Sequence, residues 1–187
     1  MKKIKYSKKF IYLISPSKIK DLSFHELERS FKTNKVSFFQ LRLKNTSKKK
    51  IFIVGKKIKK ICDKYKIKFI INDDPFLTKK LNADGCHLGQ KDMNVSKAKK
   101  IIKNKIIGIT CHNSKKLIQN AINYKVSYIA IGSFFSSKTK KIKYKAKIDL
   151  LNYAKNITKI PIVVIGGINS DNYKKLMLNK ANFLAIS

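Results

Sequence analysis

KFIINDDPFLTKKLNADGCHLGQKD, residues 68–92, carries one complete unit of the fold. It opens on Lys68-Phe69-Ile70-Ile71, where the apolar residues run on without alternation, as in a strand covered on both faces. Asn72-Asp73-Asp74-Pro75 breaks the strand, a helix-compatible segment follows, and a second strand arrives at residues 84–88. Ile162-Val163-Val164-Ile165 has the same uninterrupted character. Working outward, strands are expected near residues 11–14, 36–42, 67–72, 84–88, 106–109, 127–132, 161–165 and 182–186. Their starts average about 24 residues apart, room for a strand, a helix and two loops. Residues 113–124 place Leu117, Ile118, Ala121 and Ile122 on one helical face behind Asn113 or Ser114 as N-cap, and a helix over 169–179 opens with Asn169, Ser170 and Asp171. Eight strands alternating with helices through right-handed crossovers close most economically into an α/β protein of the (β/α)8 TIM barrel type. An open doubly wound sheet is the competing arrangement. The sequence stops at Ser187, directly after the eighth strand, so the expected barrel lacks a final eighth helix; residues 1–187 are expected to form one barrel domain.

The composition, with 43% hydrophobic and 10% aromatic residues, excludes wholesale disorder. The charge is extreme: 44 basic residues against 10 acidic, a formal net charge of +34. Such a field advertises a polyanionic partner. Yet only Arg29 and Arg42 are arginine, and the lysines stand among abundant Ile, Asn, Phe and Tyr, residues with A/T-rich codons. Codon bias accounts for a lysine background without a nucleic-acid function, because phosphate and base recognition favours the planar guanidinium. A basic nucleic-acid-binding protein therefore stays as the alternative from another class, and no nucleic-acid partner is expected. Cys62, Cys86 and Cys111 read as free thiols of a cytoplasmic protein. The apolar run Phe10 to Ile14 is too short for a signal core or a membrane span, so no membrane association is expected.

Barrel chemistry gathers where strands end. The second strand runs out through Phe39-Gln40-Leu41-Arg42-Leu43-Lys44, and a period of two puts Gln40, Arg42 and Lys44 on one face. An arginine where the chain otherwise uses lysine offers a bidentate fork for phosphate. Asp73, Asp74 and Asp92 fall at the ends of two neighbouring strands although acids are scarce. Paired carboxylates beside a phosphate-binding row suit a Mg²⁺ ion with few protein ligands, while Asp74, just before Pro75, also suits a helix N-cap. After the sixth strand, Ser136-Ser137-Lys138-Thr139-Lys140 forms a hydroxyl- and lysine-bearing loop, and Gly166-Gly167 after the seventh allows backbone N–H groups to approach a phosphate. Cys86-His87 and Cys111-His112 do not make a zinc site, since adjacent strand residues point to opposite faces and the C-x-x-C spacing is missing. Nor does their spacing orient a Cys–His nucleophile pair.

In order and spacing, FQLRLK (39–44), INDDPFLTKKLNADGCHLGQKD (71–92), GITCHN (108–113), IGSFFSSKTK (131–140), IPIVVIGGI (160–168) and LAIS (184–187) resemble the thiamine-phosphate synthase family, which includes the thiazole tautomerases. The resemblance implies condensation of hydroxymethylpyrimidine diphosphate with thiazole phosphate, releasing pyrophosphate and thiamine phosphate. It implies that Gln40, Arg42, Lys44 and Asn72 hold the diphosphate, that Asp73 and Asp92 ligate Mg²⁺, and that Lys140 binds the departing pyrophosphate. It further implies Thr110 near the pyrimidine, and Ser137, Thr139, Gly167, Ile186 and Ser187 on the thiazole phosphate. Arg42, Lys44, Lys140 and Thr110 are thereby the expected catalytic residues. Thr110 stands where the family usually has serine, Ser136-Ser137 where Pro-Thr is common, and Asp74-Pro75 differs at the head of the next helix. The short C-terminus would leave strand eight less covered, which a second copy of the chain would remedy, so a homo-oligomer is among the expectations. Within the family, a thiazole tautomerase is the runner-up, with His112 as its proton shuttle; the full diphosphate-binding set argues against it.

Overall fold

A computed structural model describes residues 9–136 and 144–187. Eight parallel strands close into a barrel in sequence order: β1 (Ile11–Ile14), β2 (Val36–Leu41), β3 (Lys68–Asn72), β4 (Gly85–Leu88), β5 (Ile106–His112), β6 (Tyr128–Gly132), β7 (Ile162–Ile165) and β8 (Phe183–Ile186). β8 pairs with β1 through Leu13 and Ile186, so no edge strand is left among them. Seven α-helices of the described residues cover the outside: α1 (Phe24–Lys32), α2 (Lys48–Lys64), α3 (Pro75–Lys80), α4 (Val95–Ile102), α5 (Lys115–Asn123), α6 (Ile148–Ile157) and α7 (Tyr173–Leu178). The doubly wound alternative is thereby excluded.

Local chemistry starts the helices. Ser23, Ser47, Asp74, Asn94 and Ser114 each cap one with a side-chain oxygen that accepts from the first turn. Between α5 and its expected outline only the ends differ, and Ser114 rather than Asn113 is the cap. α7 is shorter than expected. Asn169 Oδ1 accepts from the N–H groups of both Asp171 and Asn172, and this local turn uses the residues that would have formed the first helical turn. β5 runs three residues past its expected end, through an irregularity of register between Thr110 and His112, where His112 takes a φ of 50°.

The core has two concentric parts. Outside the barrel, helices pack on the outward strand residues, with Ile58, Cys62, Phe69 and Ile71 on one side and Ile118, Leu151, Ile162 and Val164 on the other, all almost fully buried. Inside it, Tyr12, Ile14, Tyr128, Ala130, Val163 and Ala185 meet Phe38, Ile106 and Phe183. Their rings interlock: Phe38 stacks on Tyr12 at 5.4 Å and meets Phe183 edge-on at 5.0 Å. Gly108 makes this filling possible, because a Cβ there would lie 1.9 Å from Tyr128 Cζ.

Candidate active site

Strand registers put Gln40, Asn72, His87 and Thr110 on inward-facing positions of four consecutive strands, one layer above the apolar filling. Here the strands stop being apolar on their inner face. Gln40, 3% exposed, donates from Nε2 to Asn72 Oδ1 at 2.5 Å. β2 ends at Leu41, but the chain stays fixed beyond it: the Arg42 N–H donates to the buried Ser15 Oγ at 2.9 Å and the Lys44 N–H to the Ser17 carbonyl at 2.8 Å. Strand pairing, and with it the alternation expected to carry Gln40, Arg42 and Lys44 on one face, stops at Leu41; Arg42 is half-buried and acts electrostatically on Asp73 and His87, whereas Lys44 is exposed.

Asp73 follows β3 with a φ of 63°, its N–H donating to the His87 carbonyl at 2.8 Å. Asp92 folds back so that its carboxylate accepts from the Gly89 N–H at 2.6 Å, and it stands close enough to Asp73 to act on that carboxyl. Partial burial and the neighbouring Asp92 push the Asp73 carboxyl up to about 7, against the lowering influence of Arg42 and Asn72. Two carboxylates forced together call for a cation. Among the described residues no cluster of three or more His, Cys, Asp or Glu stands together as a metal site. A two-carboxylate set of this kind fits Mg²⁺, which keeps waters and takes phosphate oxygens, and does not fit a structural zinc. Asp74 is turned elsewhere: its Oδ1 caps α3 by accepting from the Leu77 N–H at 2.9 Å, and its Oδ2 pairs with Lys48 at 2.9 Å. A cavity of about 200 Å³ opens beside Asp73 and Asp74, bordered by Leu43, Thr46, Lys48 and Asn72; Asp92 does not line it.

Thr110 Oγ1 lies 2.8 Å from His87 Nε2, and Gln90 Nε2 donates to the Thr110 carbonyl at 2.5 Å. His87 Nδ1 in turn meets Tyr128 Oη at 2.9 Å, and burial pushes the imidazole down to about 4, so it is neutral at pH 7. Sequence reasoning found Thr110 but not the His87 and Tyr128 behind it, nor Ser15. The available signal was a polar residue on the inward register of an otherwise apolar strand.

Across the mouth, the β6 and β7 loops interlock. The Ser133 N–H donates to the Tyr144 carbonyl at 2.8 Å and the Ala146 N–H to the Ser133 carbonyl at 2.9 Å. Gly166 and Gly167, with φ of 106° and 60°, lie against them, and a Cβ on Gly167 would sit 2.1 Å from the Ser136 carbonyl oxygen. Ile186 ends β8 and Ser187 follows it. Ser137, Thr139 and Lys140 lie outside the described residues. His112 stacks on Tyr144, ring centroids 4.2 Å apart.

The family model for thiamine monophosphate synthase matches residues 11–187. A thiamine-phosphate synthase of Pelagibacter ubique (strain HTCC1062) is 61% identical over 188 aligned positions, covering 100% of this chain and 91% of its own length. Another, from Erythrobacter litoralis (strain HTCC2594), is 36% identical over 183 positions, covering 95% of this chain and 85% of its own. Among solved structures, a thiamine phosphate pyrophosphorylase from Pyrococcus furiosus matches with a TM-score of 0.83 at 26% identity, over 97% of this chain and 86% of that one. A tryptophan synthase alpha-subunit from the same species, 11% identical with a TM-score of 0.71 over 97% of this chain and 87% of its own, shares the fold alone.

Proposed function

The chain belongs to the thiamine monophosphate synthase family, and from that membership we propose which of its residues carry the family's condensation. The enzyme is a transferase of thiamine biosynthesis, and its substrates are phosphorylated. In our proposal the pyrimidine diphosphate lies across the ends of β2 to β5, and the thiazole phosphate lies on the side of Gly167, Ile186 and Ser187, with Ser137 and Thr139 as its hydroxyl donors. The observation that carries this assignment is the convergence of Gln40, Arg42, Asn72, Asp73 and Asp92 on adjoining strand ends.

The chemistry follows from charge. Breaking the bond between the pyrimidine methylene and the diphosphate oxygen sends the electron pair out with pyrophosphate and leaves positive charge on the methylene, which the electron-rich aminopyrimidine spreads. The thiazole nitrogen then adds to that carbon, and no proton has to move. Arg42, Lys44 and Lys140 hold the oxygens on which negative charge grows. Asp73 and Asp92 would hold Mg²⁺, which supplies Lewis-acid stabilisation of the leaving diphosphate. Gln40, donating to Asn72 from a buried position, fixes the amide that faces the phosphates. No side-chain nucleophile is required; position and preorganised charge supply the rate. The buried, unpaired Cys62, Cys86 and Cys111 accord with a cytoplasmic enzyme.

The test is direct. Incubation of the purified chain with both substrates and Mg²⁺ should release one pyrophosphate per thiamine phosphate formed. A folded protein that releases none overturns the assignment.

A further inference from the structure

Inside the barrel four polar groups form a single hydrogen-bonded row. Tyr12 Oη lies 2.7 Å from Tyr128 Oη, Tyr128 Oη 2.9 Å from His87 Nδ1, and His87 Nε2 2.8 Å from Thr110 Oγ1. The row runs from the apolar filling to the mouth. Tyr12 and Tyr128 are each 2% exposed, and neither phenol has another hydrogen-bond partner among the described residues. His87 also lies nearly parallel to the Tyr128 ring, centroids 5.6 Å apart and planes within 15°, with Nδ1 directed to the phenol and Nε2 to Thr110.

Counting protons gives the row a direction. With a neutral imidazole it contains four polar hydrogens, one each on Tyr12, Tyr128, His87 and Thr110, and three links, so one hydrogen is left over. If Thr110 donated to His87 Nε2, the imidazole proton would sit on Nδ1 and point at Tyr128. A phenol proton, on Tyr128 or on Tyr12, would then be stranded among Phe38, Phe183 and Ile106 with nothing to accept it. An unpaired donor in such surroundings is costly. In the opposite sense Tyr12 donates to Tyr128, Tyr128 to Nδ1, and Nε2–H to Thr110 Oγ1. Every buried hydrogen is used, and the spare one is the Thr110 hydroxyl hydrogen, at the mouth.

We propose that Tyr12, Tyr128 and His87 are positioning residues that lock His87 in its Nε2–H tautomer and make Thr110 an obligate hydrogen-bond donor to the substrate. Resting on the placement of the pyrimidine diphosphate given above, Thr110 then reads a lone pair, a ring nitrogen of the aminopyrimidine, and not the hydrogens of its exocyclic amine. Methyl and hydroxyl of Thr110 divide the work: the oxygen is held from behind by Nε2–H, and only the hydrogen is offered forward.

The test has two arms that fail separately. In the full chain labelled with ¹⁵N-histidine, without substrate, His87 should show a pyrrole-type Nε2 and a pyridine-type Nδ1 at pH 7; loss of those signals in His87→Gln identifies them. The reverse pattern overturns the proposal whatever the enzyme's activity. In the second arm, Tyr128→Phe keeps the ring over Gly108 but removes the hydroxyl that holds Nδ1. It should give a mixture of the two tautomers and a KM for the pyrimidine diphosphate raised about three- to tenfold. Thr110→Val should raise that KM about tenfold or more, Thr110→Ser should restore it, and the KM for thiazole phosphate should move with neither. A Tyr128→Phe enzyme with an unchanged tautomer and unchanged KM overturns the relay. Should the tautomer be as stated but the chain release no pyrophosphate, the placement of the pyrimidine falls and the assignment of Thr110 as its reader falls with it.

Discussion

Asp73 and His87 are tied by a 2.8 Å backbone hydrogen bond, and their protonation preferences oppose one another. Asp73, raised from 3.8 to about 7, keeps in the fold a proton that the unfolded chain has released, so its contribution to stability falls as pH rises between those values. His87, lowered from 6.5 to about 4 chiefly by burial, refuses a proton that the unfolded chain accepts, so its contribution rises with pH across that window. The slopes offset, and without divalent cation the chain should show a nearly flat stability profile from about pH 4.5 to about 6.5. Asp73→Asn leaves the His87 slope, so stability climbs with pH; His87→Gln leaves the other, so it declines. Urea unfolding at stepped pH measures both, and two variants with the same slope would refute the pairing. Asp74 and Asp92 part company in the same way. Asp74→Ala, losing the cap of α3 and the Lys48 pair, should cost about 1 kcal/mol of stability with turnover nearly unchanged. Asp92→Asn should raise the Mg²⁺ concentration for half-maximal activity by about tenfold or more. If instead Asp74→Ala shifted the Mg²⁺ titration, the metal site would have to include it.

At the scale of strands and helices, much of the barrel could be read from the chain. β1 spans the residues expected for it, and six of the other strands differ by a residue at one end, because buried parallel strands are marked by apolar runs and ended by Asn, Asp and Gly. β5 escaped, since the bulge past Thr110 is a pairing event with no composition of its own. α7 escaped because Asn169 serves equally as a helix cap and as the pivot of a turn. The row of site residues at β2 to β4 was legible from the polar residues at strand ends, whereas the Tyr12–Tyr128–His87 row was not. Tyrosine in an apolar strand looks like any other core aromatic, and only closure of the barrel, which faces β1 across its interior to β6, brings together two phenols 116 residues apart in sequence. Gly108, paired with Tyr128 in the β5–β6 register, leaves the room that the Tyr128 ring needs. Gly108→Ala would drive a methyl into the Tyr128 ring, and the expected cost is about 1–3 kcal/mol by urea unfolding. His87 should lose its single tautomer in that variant, because the phenol that holds Nδ1 is displaced. An alanine variant with wild-type stability and an unmoved histidine spectrum would show that the interior is looser than the rings imply.

Over the whole molecule, on the proposed assignment, the +34 charge falls into two unequal parts, a large lysine background and the few cations, Arg42, Lys44 and Lys140, proposed to hold phosphate. The two parts predict different salt responses. Exposed lysines act on incoming anions at long range, and their field is cut to about 10 Å at 0.1 M salt. Arg42 is half-buried and its backbone is fixed by Ser15, so the phosphate contact proposed for it would be screened much less. Raising a neutral salt from about 20 mM to about 200 mM at constant Mg²⁺ should therefore raise KM for both substrates roughly three- to tenfold while kcat stays nearly constant. A kcat that fell in step with KM would mean that the background itself takes part in the reaction. Duplex nucleic acid added at low salt should inhibit by occupying that same background, and its inhibition should vanish by about 200 mM salt, since binding through phosphates alone is steeply salt-dependent. Inhibition that persisted there would point to a built polyanion site, for which a surface rich in lysine and nearly without arginine is poor material. On this reading the lysine excess should speed encounter with small anions, and the contacts that turn them over should be left to the residues at the strand ends.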